Sequence, residues 1–210
     1  MLITEVLLLA RLFSTKPQPR AQTQGISTVV LASHSFSMND RYDNPFVNKV
    51  FKDNILLTLN YMSGVVKSKN DINWNIVLGP LDYEFSLAPG QEFAFHDKEL
   101  PQYSQNVVKT TNAHFDSTEG FKSDGDLVGD GVCHLASFIY WTAKDAGLTA
   151  VAPSNHNFAK INDVPKKYGV AIYSPSPEGN LYIINNLGKT VDFNFRYDGQ
   201  TLTTTIAEKN

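Results

Sequence analysis

The chain has one cysteine, Cys133, in the run Gly129-Asp130-Gly131-Val132-Cys133-His134. A lone cysteine forms no disulfide within its own chain and no multi-cysteine zinc site. Nucleophilic chemistry and packing remain. Val132, Leu135, Ala136, Ile139, Ala143 and Ala146 recur at helical spacing, and Gly147 stands where a left-handed cap belongs. The spacing predicts a helix over Val132–Ala146, with Cys133 in its first turn. Unpaired backbone N–H groups and the positive end of the helix dipole converge there. Both favour thiolate, the nucleophilic form, and the same N–H groups can hold an oxyanion. The flanking glycines, Gly131 among them, let a substrate backbone approach.

A nucleophilic thiol needs a base. His134 is adjacent in sequence, but successive helical side chains diverge by about 100°. His156, in Ser154-Asn155-His156-Asn157, is the better candidate. The helix covers roughly 20 Å and the nine residues after it up to roughly 30 Å, so the chain can double back. Asn155, Asn157 or Asp163 can then orient the imidazole. Cys133, Ser137, Tyr140, Trp141 and Lys144 form a second helical stripe, which together with His134 would floor a substrate groove. The alternatives are a half-covered helix flank and a cysteine that is only a small buried hydrophobe. His34, His96, His114, His134 and His156 contain no tight ligand pair, so the spacing calls for no metal and no cofactor.

Other elements must position these groups. Asn44-Pro45 opens a helix that carries Val47, Phe51, Ile55, Leu59 and Met62 on one stripe and ends at Ser63-Gly64. Read by itself, this is a core helix. Trp74 to Phe95 reads as strand, with Tyr83, Phe85 and Leu87 alternating against Glu84 and Ser86. Residues 96–130 are polar and glycine-bearing, the composition of a site-building loop. Strands follow at Val170–Tyr173, Leu181–Ile184, Val191–Tyr197 and Leu202–Ile206. The expected fold is α+β: a few helices packed on an antiparallel sheet, with a C-terminal β-meander.

The chain has 210 residues, enough for one domain. Lysine and arginine total 18 against 21 acidic residues, for a net charge of −3. With no basic block, nucleic acid is a poor partner. Residues 1–13 form an apolar stub interrupted by Glu5 and Arg11, readable as the end of a membrane anchor or as an amphipathic helix. Residues 14–29 have linker composition and residues 30–210 form the domain.

Four stretches resemble the VanW family. Pro89-Gly90-Gln91-Glu92-Phe93-Ala94-Phe95 is similar to the family's Pro-Gly-Glu-x-Phe-Ser-Phe. Gly129 through Ser137 is similar to its Gly-Gly-Gly-Val-Cys-Gln-Val-Ser-Ser. Asn155-His156 is similar to its Asn-His, and Asn180-Leu181 through Asn185-Asn186 to its closing Asp-Leu-x-Phe-x-Asn-Asn. The order and approximate spacing agree from about residue 83 to 197. Asp130, His134 and Asn180 depart from the pattern. The family takes its name from an accessory gene of vancomycin-type resistance clusters. The resemblance implies a bacterial cell-envelope protein, extracytoplasmic and membrane-tethered, with an envelope or cell-wall component as partner. It supplies no reaction. Two functions are therefore expected. One is a cysteine-dependent hydrolase or transferase on peptidoglycan or another envelope amide or ester. The other is a non-catalytic module that binds peptidoglycan or a partner protein.

Overall fold

The computed structural model describes residues 28–125 and 127–209. The expected stub and most of the expected linker lie outside the described residues. Strand β1 spans Thr28–Ser37. Its residues Ser33 and Ser35 bond across to Thr205 and Thr203, a ladder of hydroxyls beyond the apolar run Val29–Ala32.

Helix α1 covers Pro45–Ser63. The Asn44 side chain accepts the Phe46 amide at 2.9 Å, Pro45 presets the first turn, and Gly64, at φ +78°, closes the last. Helix α2 is one turn, Trp74–Val77, capped by the Asn73 side chain. Here the structure departs from the sequence reading of strand from Trp74. Asn73 gives the amide of Asn75 a local partner, and four residues are too few for an apolar period to reveal a helix. Strands β2 (Leu81–Leu87), β3 (Glu92–Ala94) and β4 (Val107–Lys109) follow. Helix α3 runs Val132–Asp145, with Gly147 at φ +81° beyond its end. Strand β5 (Thr149–Val151) comes next, then β6 (Tyr182–Ile184), β7 (Val191–Tyr197) and β8 (Thr201–Lys209).

The fold is α+β. The strands form two four-stranded sheets, ordered β1-β8-β7-β2 and β4-β3-β6-β5. The first is antiparallel throughout, and in the second β3 and β4 run parallel. The C-terminal strands thus divide: β6 joins the second sheet, while the β7–β8 hairpin builds the first. Phe85, Phe93, Phe193 and Phe195 stack in the core, with the Phe85 and Phe193 rings 4.8 Å apart and nearly parallel. Helix α3 packs against β1, β5, β8 and α1.

The expected strand Val170–Tyr173 does not form. Its amides are taken singly: Val170 donates to Ser137 Oγ, Ala171 to the Ser154 carbonyl, Ile172 to Cys133 Sγ and Tyr173 to the Gly179 carbonyl. With only a single bridge, Val170 to Asn155, the segment never extends into a ladder and becomes a wall of the site.

Helix α1 does more than fill the core. Its buried Asn54 accepts the Lys122 amide at 2.9 Å and donates to the carbonyls of Lys122 at 2.9 Å and Asp130 at 2.8 Å. One amide thereby pins both ends of the 122–130 loop. Lys122 reaches Asp53 with its ammonium, which also lies 3.5 Å from the centre of the Trp74 ring. Gly131, at φ +99°, lies so close to α1 that a Cβ would fall 2.8 Å from the Phe51 carbonyl. Three part-buried hydrogen bonds at about 1 kcal/mol net each give an expected loss of about 3 kcal/mol for Asn54→Ala. Urea unfolding measures it. A loss below about 1 kcal/mol would mean that the loop is held by something else.

Candidate functional site

Pinning the loop sets the start of α3. No side chain caps that N-terminus, and Gly131 occupies the cap position. Cys133 and His134 open the helix on a cleft of about 690 Å³. The 115–131 loop forms one wall, residues 171–175 another, and residues 156–160 a third. The cleft therefore holds Gly131, Cys133, His134, His156 and, from the polar loop, His114. Its rim is apolar: Leu127, Phe158 and Tyr173 are each more than 60% exposed, and Val128 is nearly half exposed. Exposed apolar residues gathered around one cleft mark a place where something docks.

Cys133 is half-buried. Its sulfur accepts the Ile172 amide at 3.3 Å and faces the Ile172 carbonyl at 4.0 Å. The sequence reading expected a helix start to favour thiolate, but the structure reverses this. Burial pushes the Cys133 pKa up, and the Asp130 carboxylate adds to the rise. The Ile172 amide and the cysteine's own N–H act in the opposite direction without overcoming it. The resting group is a thiol.

His134 is buried and neutral. Burial holds its pKa well below the usual histidine value, and Arg41 and His156 depress it further. Its Nε2 lies 3.3 Å from the Tyr42 hydroxyl, and its ring meets the edge of Phe51. Tyr42 is itself fixed by Asn48 of α1, which accepts the amides of Arg41 and Tyr42 and donates to the Tyr42 carbonyl. Asn48, Phe51 and Asn54 follow at three-residue spacing, so one side of α1 supports the cleft floor.

His156 is half-buried, with its amide bonded to the Gly169 carbonyl. Its Nδ1 lies 3.1 Å from the Ala159 carbonyl. A carbonyl only accepts, so Nδ1 carries the hydrogen and Nε2 of the neutral ring is left as acceptor. The orienting group is thus a backbone carbonyl. Asn155 is exposed and pairs through its backbone with Val170, Asn157 is exposed on the far side of the 156–160 segment, and Asp163 pairs with Arg41 at 3.6 Å.

The expected groove stripe does not stay together. His134 and Gly131 line the cleft, but Ser137 is fully buried. Its Oγ donates to the Cys133 carbonyl at 2.7 Å and accepts the Val170 amide at 2.9 Å, tying the cysteine's turn to the 170–172 wall. Trp141, about 12 Å along the helix from Cys133, stacks on His34 at 3.6 Å and lies beside Tyr168, against which Tyr140 also packs. The stripe leaves the cleft at Ser137 because the 170–172 segment and β1 cover the helix beyond it.

Sequence reasoning missed His114 as a cleft residue. Its Nδ1 meets Glu119 at 2.9 Å and its Nε2 meets Asp97 at 3.2 Å, and Ser174 donates to its carbonyl. The Glu119 hydrogen bond is the largest cause of its raised pKa, and Asp97 adds to it. Asn48 and Asn54, about two turns apart in a helix with a strong apolar stripe, were the available signal for α1. His114 had none, because its two carboxylates come from separate segments. Among the described residues, no group of three or more His, Cys, Asp or Glu side chains is arranged to hold a metal ion, and no helix is long and apolar enough to cross a membrane.

A two-sheet α+β domain with a thiol and three imidazoles around one cleft is the class that fold and site define. Residues 73–207 match the family model described as VanW like protein, well over half of the chain. The chain belongs to the VanW family. No curated protein and no solved structure matches it.

Two titrations follow. Alkylation of Cys133 by iodoacetamide should show a midpoint above the ordinary thiol value of about 8.5. A midpoint at or below it would contradict the burial argument. The His114 pKa is raised on folding, so its stabilisation is complete below the unfolded value of about 6.5 and disappears as pH rises through the folded value. His114→Gln should therefore lower Tm at pH 5.5 more than at pH 9. An equal drop at both would mean that the ring acts only by packing.

Proposed function

We propose that this VanW-family chain works in the bacterial cell envelope, outside the cytoplasm, as a thiol-dependent hydrolase or transferase. It acts on an amide or ester of peptidoglycan or of another envelope polymer. The observation that carries the reading is that Cys133 and His156 both line one cleft, with Nδ1 of His156 committed to the Ala159 carbonyl. In the reaction, Nε2 of His156 takes the thiol proton as Cys133 Sγ attacks the carbonyl carbon. The uncapped amides at the start of α3 stabilise the oxyanion. The C–N or C–O bond breaks, the leaving amine or alcohol takes the proton from His156, and a thioester remains. Water then releases the acid, or a second amine takes the acyl group. A thiol that stays protonated at rest fits a step in which the bound substrate brings the pair together.

The raised pKa of Cys133 favours a second reading, a non-catalytic module that holds an envelope component in the same cleft. Incubation with purified peptidoglycan fragments, followed by intact-mass analysis and product detection, separates the two. Turnover should fall at least about 100-fold in Cys133→Ala and in His156→Ala, with binding retained. Binding without turnover in the wild type, unchanged in Cys133→Ser, would establish the module and refute the enzyme.

A further inference from the structure

A second cavity, of about 390 Å³, adjoins the cleft. The two share the 156–160 segment, and His156, Phe158, Ala159 and Lys160 line both. The smaller cavity is walled by Ile161, Val164 and Pro165, and Lys160 and Lys166 contribute to its lining. Both lysines are exposed, and neither has an ion-pair partner among the described residues. Asp163, the acidic residue of the same loop, is turned to Arg41. The lining of the main cleft, by contrast, includes Asp116, Asp124 and Asp130. The composite site therefore holds carboxylates, the thiol and imidazoles in the main cleft, and an apolar pocket with two uncompensated lysines across the shared 156–160 segment.

We propose that the smaller cavity receives the C-terminal residue of a peptide ligand, its side chain against Ile161, Val164 and Pro165 and its free carboxylate toward Lys160 and Lys166. The inference rests on the reading of the main cleft as a site for an amide-bearing ligand. A free α-carboxylate beside a compact side chain matches the pocket's apolar walls and its positive charges together. A C-terminal amide carries no charge for the lysines to meet. The carboxylates of the main cleft suit an amine-bearing group elsewhere on the same ligand.

Calorimetry with Cys133→Ala tests this apart from any chemistry. The probes are acetylated tripeptides with a small apolar last residue, each prepared as the free acid and as the C-terminal amide. The free acid should bind about tenfold tighter than the amide. That preference should vanish in Lys160→Ala/Lys166→Ala, whose exposed positions leave the fold intact by circular dichroism, and should weaken with salt. Equal binding of acid and amide, or binding of neither, overturns the inference. Turnover of peptidoglycan fragments is measured in parallel on the wild type. Intact turnover with no acid preference defeats the pocket assignment alone, whereas acid preference with no turnover supports the pocket and defeats only the enzyme reading.

Discussion

The Asn54 side chain lies in the interior of the domain and satisfies three backbone groups of a loop it is not part of. The wall position, the glycine entry to α3 and the depth of Cys133 depend on that amide. An amide suits the task because it donates and accepts from one planar group, meeting an N–H and two carbonyls at once. The Lys122 ammonium reinforces the anchor from Asp53 and the Trp74 face, and the close approach of Gly131 to Phe51 completes it.

The thiol shows how two local effects compete. A helix start offers Cys133 positive potential, but the same fold takes the sulfur out of water and sets it beside Asp130. Desolvation acts on the whole charge, whereas the field of a helix end falls off within a turn, so burial decides. His134 follows the same rule with the opposite charge and stays neutral. His114, on the wetter rim between two carboxylates, is held protonated more readily than a free imidazole. Three histidines around one cleft thus have three different environments. Only His156 is oriented through Nδ1 by a backbone carbonyl, with Nε2 left as acceptor.

Much of the framework was legible in the chain. Asn44-Pro45 and Ser63-Gly64 bounded α1, the apolar stripe and Gly147 bounded α3, and Tyr83, Phe85 and Leu87 showed the face of β2. These signals are local: a cap, a turn glycine and a period each act within a few residues. Strand β1 was not legible, because its serines and threonines bond across the sheet to a strand more than 160 residues away. The 170–173 segment was misread because strand propensity cannot say whether a neighbour exists to pair with.

The sequence by itself determined the chemistry available: one thiol at a helix start, a histidine within chain reach, and motifs of the VanW family. The tertiary structure decided which of these groups share a cleft, that the orienting partner of His156 is a carbonyl and not Asn155 or Asn157, and that Ser137 and Trp141 support the helix without lining the groove. It also decided the protonation state of Cys133. Burial is a sum over residues distant in the chain, and no spacing along the chain encodes it.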